Sequence, residues 1–377
     1  MRIAIVGLVI ALAFGGYFLL PTPSDPEIPT YQLLQSSGPP EFERVQDPRE
    51  FSFPRDHGPH LDYRTEWWYY TGNLVAQGGE RFGYQLTIFR RGLTPGGTRR
   101  ESDFATNQIY FGHLALTNVD EGEHVALERF ERGSAGLAGA SGDPFAVFLG
   151  DWSIQSLDET GTQVRLRASD VGFGLDLTLA ATKPIVAHGE QGYSIKGGAE
   201  GNASYYLSFT NMQTQGSLQI GDRIFEVSGK SWFDHEWGTS ALGAQATGWD
   251  WFGLQLDDGR ELMLFHIRKG DDDGDEQISG GTLVAPNGDA RWMTADEFEI
   301  SPITTWTSEL TGTTYPSGWE ITIPAEGLEL IVEPHVKDQE MRLNLEYWEG
   351  AVRVSGSVEG QGYVELTGYS GSMRGLY

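Results

Sequence analysis

The stretch GWDWFGLQLDDGRELMLFHIR, Gly248–Arg268, holds two largely apolar runs divided by Asp257-Asp258-Gly259-Arg260. Side chains of a strand alternate between faces, so two such runs around a Gly-containing turn predict an antiparallel hairpin. Asp258-Gly259 suits a two-residue type I′ turn, whose central residues both need positive φ. Counting outward from it pairs Gln255 with Leu262, Trp251 with His266 and Trp249 with Arg268. In that register Trp249, Trp251, His266 and Arg268 share one face, predicted to point inward because paired tryptophans would make a costly exposed patch.

The same pattern extends outward. WWYYTGNL, FGYQLTIFR, QVRLRA, YYLSFT, MRLNLEYW and GYVELTGY are short alternating runs divided by Gly, Asp and Asn. With 50 glycines, 12% aromatics and no long amphipathic pattern, the fold class is all-β. Only TADEFEI near Thr294 hints at a helical turn. Gly78-Gly79 offers a second hairpin turn, and counting outward pairs Trp67 with Arg90 and Glu66 with Arg91. Both hairpins then set a Trp opposite an Arg, an echo that predicts two similar β modules in tandem.

The chain has 377 residues, enough for two domains, and 26 Lys+Arg stand against 53 Asp+Glu for a net charge of -27. That balance argues against nucleic acid and against a polybasic grip on lipid. With no cysteine, disulfides, thiolate metal sites and Cys nucleophiles are excluded. Residues 1–20 hold Arg2 and then the uncharged apolar run Ile3–Leu20. The run exceeds the roughly 7–15 residues of a cleavable signal core and reaches the roughly 17–25 that span a bilayer. It is read as a membrane anchor, with a signal segment as the alternative, and either places the body outside the cytoplasm, periplasmic or at the cell surface. Residues 21–50, rich in Pro, Ser, Gln and Glu, read as a flexible tether.

Several catalytic motifs are missing. No G-x-S-x-G, Walker A or helix-opening G-x-G-x-x-G occurs, and HEWGT has Thr239 where a second zinc-binding His would stand. GDDDGDE, Gly270–Glu276, lacks EF-hand spacing and reads as a solvated loop. RDHGPHLDYRTE gathers His57, His60, Asp62 and Glu66 without a closed ligand set, and reads as a polar loop. Three aromatic clusters with embedded charges remain: YRTEWWYYTG, SWFDHEWG and TGWDWFG. Any one Trp would be ordinary β core. Three clusters predict a cleft in which buried ionisable groups have displaced pKa values.

FPRDHGPHLDYRTEWWYYTGNL, GKSWFDHEWG, TGWDWFGLQLDDGRELMLF and GYVELTGY resemble, in order, the motifs of the AttH/CrtC family. This lipocalin-like family includes carotenoid 1,2-hydratases and secreted proteins encoded beside ABC transporters. The resemblance runs from Phe51 to Tyr377 and implies two lipocalin-like antiparallel β domains, at 51–237 and 238–377, joined near SWFDHEWGTSALG. It also implies a ligand cavity near their junction.

Hydration of an isoprenoid alkene needs no metal or cofactor. It needs an acid to protonate the double bond and aromatic faces to hold the cation. Under that reading Asp234 or His235 is the acid, and Trp67, Trp237, Trp249, Trp251, His266 and Arg268 are ligand-binding residues. His266 stands where the resemblance places a carboxylate in the hydratases. Burial would raise Asp234 and lower His235, but alternation sets His235 beside Phe233 and Trp237, making His235 the preferred acid. The AttH-like members imply instead a binder of an apolar small molecule that serves an ABC transporter, and this is the leading expectation. A third reading makes the aromatics core and the surface a platform for a partner.

Overall fold

The computed structural model describes residues 42–95, 102, 104–198, 200–240, 246–269 and 278–371. Among them the regular elements are strands, apart from two single 3-10 turns at Arg55–His57 and Pro324–Glu326. The strands form antiparallel sheets of thirteen and ten members and one short ribbon. The chain is all-β, as its alternation predicts.

At the centre of the first sheet, Thr65–Ala76 pairs with Arg81–Gly92 on one side and Arg223–Gly238 on the other. Ala203–Ile220 follows next to Arg223–Gly238. The two edge strands, Glu123–Arg132 and Ala138–Gly142, are consecutive in the chain, and the sheet curls until its ends approach. A Cβ on Gly112 would sit 2.7 Å from Leu149, and the Arg129 guanidinium lies 4.8 Å over Trp152. Trp68, Leu86, Leu114, Val147 and Leu177 fill the curl.

In the second sheet Ala246–Leu256 pairs with Glu261–Lys269 and Gly360–Leu366, and Glu346–Gly356 follows. Its own core holds Phe252, Leu254, Trp319, Ile321 and Val364. A further apolar cluster, including Tyr69, Tyr206, Trp232, Trp251 and Phe265, draws on both sheets. Polar ties cross the same junction. Gln255 donates to the carbonyls of Thr210 (2.8 Å) and Ser231 (3.0 Å). Lys183 reaches Glu261 at 2.6 Å and also bonds the Gly259 and Ala285 carbonyls. Gly83 permits the close approach, since a Cβ there would lie 2.7 Å from that of Ala351.

Both hairpin registers differ by one residue from the sequence reading. Trp251 faces Phe265, Trp249 faces Ile267 and Gln255 faces Glu261. In the first hairpin Trp67 faces Phe89, and Glu66 faces Arg90. The cause is the turn. Leu256 and Arg260 enclose a three-residue loop, with Gly259 N bonded to Leu256 O (3.1 Å) and Gly259 at φ +88. Ala76 and Glu80 enclose the same loop, with Gly79 at φ +96. A three-residue loop that ends on a left-handed Gly replaces the expected type I′ turn, and one residue of slip exchanges every cross-strand partner. The Trp–Arg echo is therefore absent.

Ile3–Leu20 and the tether as far as residue 41 lie outside the described residues, as does Gly270–Glu276. Phe42–Glu50, the end of the segment read as tether, is packed. Val45 is fully buried beside Tyr205, Leu207 and Trp237. Thr294–Glu297 is a turn closed by the Thr294 N–H bond to Glu297 rather than a helix. Among the described residues no helix is long and apolar enough to cross a membrane.

Candidate active site in the inter-sheet cavity

SWFDHEWG lies on Arg223–Gly238, where alternation sends its side chains to two different environments. Glu236 faces Trp67 and Asp234 faces Tyr69 across the pair with Thr65–Ala76, while His235 faces Trp68 and Trp237 faces Glu66. The first set looks toward the second sheet. The second set looks into the first.

On the inner face Glu66 is fully buried. Its Oε1 accepts from His60 Nδ1 (2.7 Å) and His235 Nε2 (2.9 Å), and its Oε2 accepts from Arg90 Nε (2.7 Å). Burial alone would raise this carboxyl, but Arg90 and then His60 hold it well below the usual range. His60 stacks on Trp237 at 3.8 Å and is raised, because Glu66 and Asp56 outweigh its burial. Burial pushes His235 down. RDHGPHLDYRTE is thus more than a polar surface loop: Asp56, His57 and Glu66 are buried in a charge network, while Arg55, Leu61 and Asp62 stay exposed. Nitrogens of His60 and His235 and an oxygen of Glu66 lie within 4.8 Å of one another, near enough to meet one ion. Hydrogen bonds already occupy both oxygens of Glu66, and Arg49 and Arg90 supply the charge that Asp56 and Glu66 need.

On the outer face a cavity of about 780 Å³ of atom-free space, its opening included, separates the sheets. The first sheet contributes Trp67, Tyr69, Phe89, Tyr206, Asp234 and Glu236, and the second Trp249, Trp251, Phe265, Tyr347, Glu349 and Glu365. Asp234 accepts from Trp232 Nε1 (2.6 Å), Tyr206 Oη (2.7 Å) and Ser208 Oγ. All three donors are neutral. Burial outweighs them and pushes Asp234 up to about 7. Tyr206 in turn accepts from Trp251 Nε1 at 2.9 Å, so one chain of bonds runs from the second sheet to Asp234. Behind Ser208 stands His188, whose ring nitrogens lie 2.7 Å from Ser208 Oγ and 2.8 Å from Thr282 Oγ1. Burial pushes that imidazole down to about 3.

Lys196 lies 3.1 Å from Glu236 and 4.7 Å from the centres of the Tyr206 and Phe265 rings. Across the cavity Glu349 and Glu365 are direct cross-strand partners, and Trp251 flanks Glu365. Burial raises Glu365 to about 8 against a hydrogen bond from Trp249, and Asp234 and Glu236 add to the rise. Burial and then Glu365 push Glu349 well above the carboxylate range. A cavity walled by indole and phenol rings, with carboxyls held near or above neutrality, can donate protons and can stabilise a cation.

Of the residues singled out in the sequence, Trp67, Asp234, Trp249 and Trp251 line this cavity. His235 and Trp237 stand behind the sheet, in the Glu66 network. His266 and Arg268 fall on the far face of the second sheet because of the one-residue slip. There His266 bonds Ser279 at 2.8 Å, and Arg268 pairs with Asp250 beneath Tyr369. Sequence reading missed Tyr69, Tyr206, Lys196, Glu349 and Glu365. The available signal was a lone carboxylate within an apolar strand, as in Val364-Glu365-Leu366, where both faces of the strand are covered.

The AttH-like family model matches residues 44–369. The chain belongs to the AttH-like family. A crystal structure described as an AttH from Nitrosomonas europaea is 33% identical, covers 87% of this chain and 99% of its own, and superposes with a TM-score of 0.77. Kievitone hydratase from Nectria haematococca is 19% identical over 88% of this chain and 98% of its own, with a TM-score of 0.65, and shares the lipocalin-like fold. No curated protein matches the sequence.

Proposed function

We propose that the inter-sheet cavity binds an apolar, unsaturated small molecule, isoprenoid in character, and adds water across one of its double bonds without a cofactor. The observation that carries this reading is Asp234, a fully enclosed carboxyl beside aromatic walls, pushed to about 7 by burial and bonded only to neutral donors. A group so placed gains and loses a proton near neutral pH, which acid–base chemistry on an alkene requires. Trp67, Trp249 and Trp251 offer π faces to the cation that forms on protonation. The fold shared with kievitone hydratase agrees with the reading. The apolar run Ile3–Leu20 supports a second element, a site of action outside the cytoplasm at a membrane, where an AttH-like binder would serve an ABC exporter.

The test incubates the protein with a panel of isoprenoid and prenylated aromatic alkenes in ¹⁸O-water, with binding followed by tryptophan quenching. Wild type is expected to form the labelled alcohol. Asp234→Asn should lose about 100-fold or more of that rate, the range of a general acid or base, while still binding. Binding without turnover across the panel would overturn the hydration reading and leave the binder.

A further inference from the structure

We infer that Glu349, set against Glu365 on the second-sheet wall, is the proton donor of this site, and that Asp234 on the first-sheet wall takes the proton from the attacking water. The inference rests on the hydration reading above and assigns its two halves to opposite walls.

Glu349 is 2% exposed, lines the cavity, and has the neutral Tyr69 and Tyr347 phenols as its hydrogen-bonding neighbours. A buried carboxyl that faces an aromatic cavity among neutral phenols is a group held in its acid form, because a bare carboxylate there is costly. Its environment differs from that of Asp234. Asp234 has three donors aimed at its oxygens, which suits the anion, while Glu349 has two phenols and a second carboxyl directly opposite, which suits the acid. Glu365 directly opposite on the neighbouring strand makes ionisation harder still, since two adjacent carboxylates cannot both carry charge. Paired groups whose surroundings drive them apart mark the acid and the base. The other ionisable groups around Glu349 are Tyr69 and Asp234 on the first sheet, Tyr347 on its own strand and Tyr363 beside it, with the Lys196–Glu236 pair beyond.

In the step, the Glu349 O–H proton bonds to one alkene carbon, using the π pair and leaving the other carbon cationic. Water oxygen bonds to that carbon as its proton passes to the Asp234 carboxylate. The product is the alcohol, with Glu349 ionised and Asp234 protonated. Transfer of one proton back through solvent restores both.

Two readouts test this, one of them independent of any substrate. Infrared difference spectra of the wild-type protein should show, at pH 7, a protonated carboxyl band that Glu349→Gln removes. On an alkene that wild type hydrates, Glu349→Gln should lose about 100-fold or more in rate with affinity within about threefold. The wild-type rate should rise as Asp234 ionises and fall as the glutamate pair does. Glu365→Gln should move the falling limb to lower pH, because Glu349 then loses the neighbour that raises it. Turnover with an ionised Glu349, or turnover surviving in Glu349→Gln, would overturn the assignment alone. No turnover by wild type would sink the hydration reading and this donor with it.

Discussion

Glu66 and Asp234 lie on adjacent strands of one sheet, both buried, and titrate in opposite directions. Glu66 is held well below the usual carboxylate range and Asp234 is raised to about 7. Each accepts at least three hydrogen bonds, so bond number does not separate them. The difference is charge. Arg90 and the raised His60 stand against Glu66, whereas Asp234 meets only an indole, a phenol and a serine hydroxyl. At Asp234 the neutral donors offset only part of the desolvation, whereas at Glu66 the charges of Arg90 and His60, together with its hydrogen bonds, outweigh it. One face of the sheet is thereby a structural lock and the other a chemically available cavity.

Removing the lock should give the largest effect. Glu66→Gln leaves Arg90 buried without its carboxylate, a loss expected to cost about 3–5 kcal/mol. Because the folded carboxyl titrates below its unfolded value of 4.5, its contribution is present above that pH and disappears as the pH falls. Urea midpoints of wild type and variant should therefore differ widely at pH 7 and converge in acid. A difference under about 1 kcal/mol at pH 7 would mean that the Glu66 network locks nothing.

The cavity carboxyl predicts the reverse slope. Asp234 titrates above its unfolded value of 3.8, so it stabilises the fold in acid, and that contribution is lost as pH rises through about 7. Asp234→Asn should gain on wild type between about pH 4 and 7, by an amount on the order of a few kcal/mol at 1.36 kcal/mol per unit. The difference between the two proteins is the quantity to measure. His57 and His188, both pushed down to about 3 by burial, tilt the absolute curve the other way in acid. Parallel stability curves for wild type and Asp234→Asn would show that Asp234 is ionised throughout.

Alternation made the β class legible, and it also made legible the division of SWFDHEWG into Asp234 and Glu236 on one face and His235 and Trp237 on the other. Which face held the cavity was not legible, because both faces are covered and both carry Trp and charge. Pairing with Glu66 across Thr65–Ala76 assigned His235 to the inner network, and that contact spans 169 positions in the chain. The registers failed for a local reason: Gly259 and Gly79 close three-residue loops, and a Gly beside Asp or Gly fits either loop length. Glu349 and Glu365 escaped notice because each is a single charge in an apolar run, which reads equally well as a solvent-facing position.

The slip supplies the smallest and most local test. With Trp251 opposite Phe265, the Trp251 side chain enters the cavity and bonds Tyr206, while His266 lies on the far face with Ser279. Trp251→Phe keeps an aromatic surface but removes the indole N–H, so it should cost about 1 kcal/mol of stability, the worth of one hydrogen bond. It should also change the quenching of cavity tryptophans by a bound apolar ligand. His266→Ala should leave ligand affinity within about twofold and stability within about 0.5 kcal/mol, as expected for a substitution outside the cavity and away from the core. In the expected type I′ register the two residues would be direct neighbours, and both substitutions would weaken ligand binding together. Comparable losses of affinity from both would place His266 in the cavity wall and break the distinction between the two faces of Glu261–Lys269.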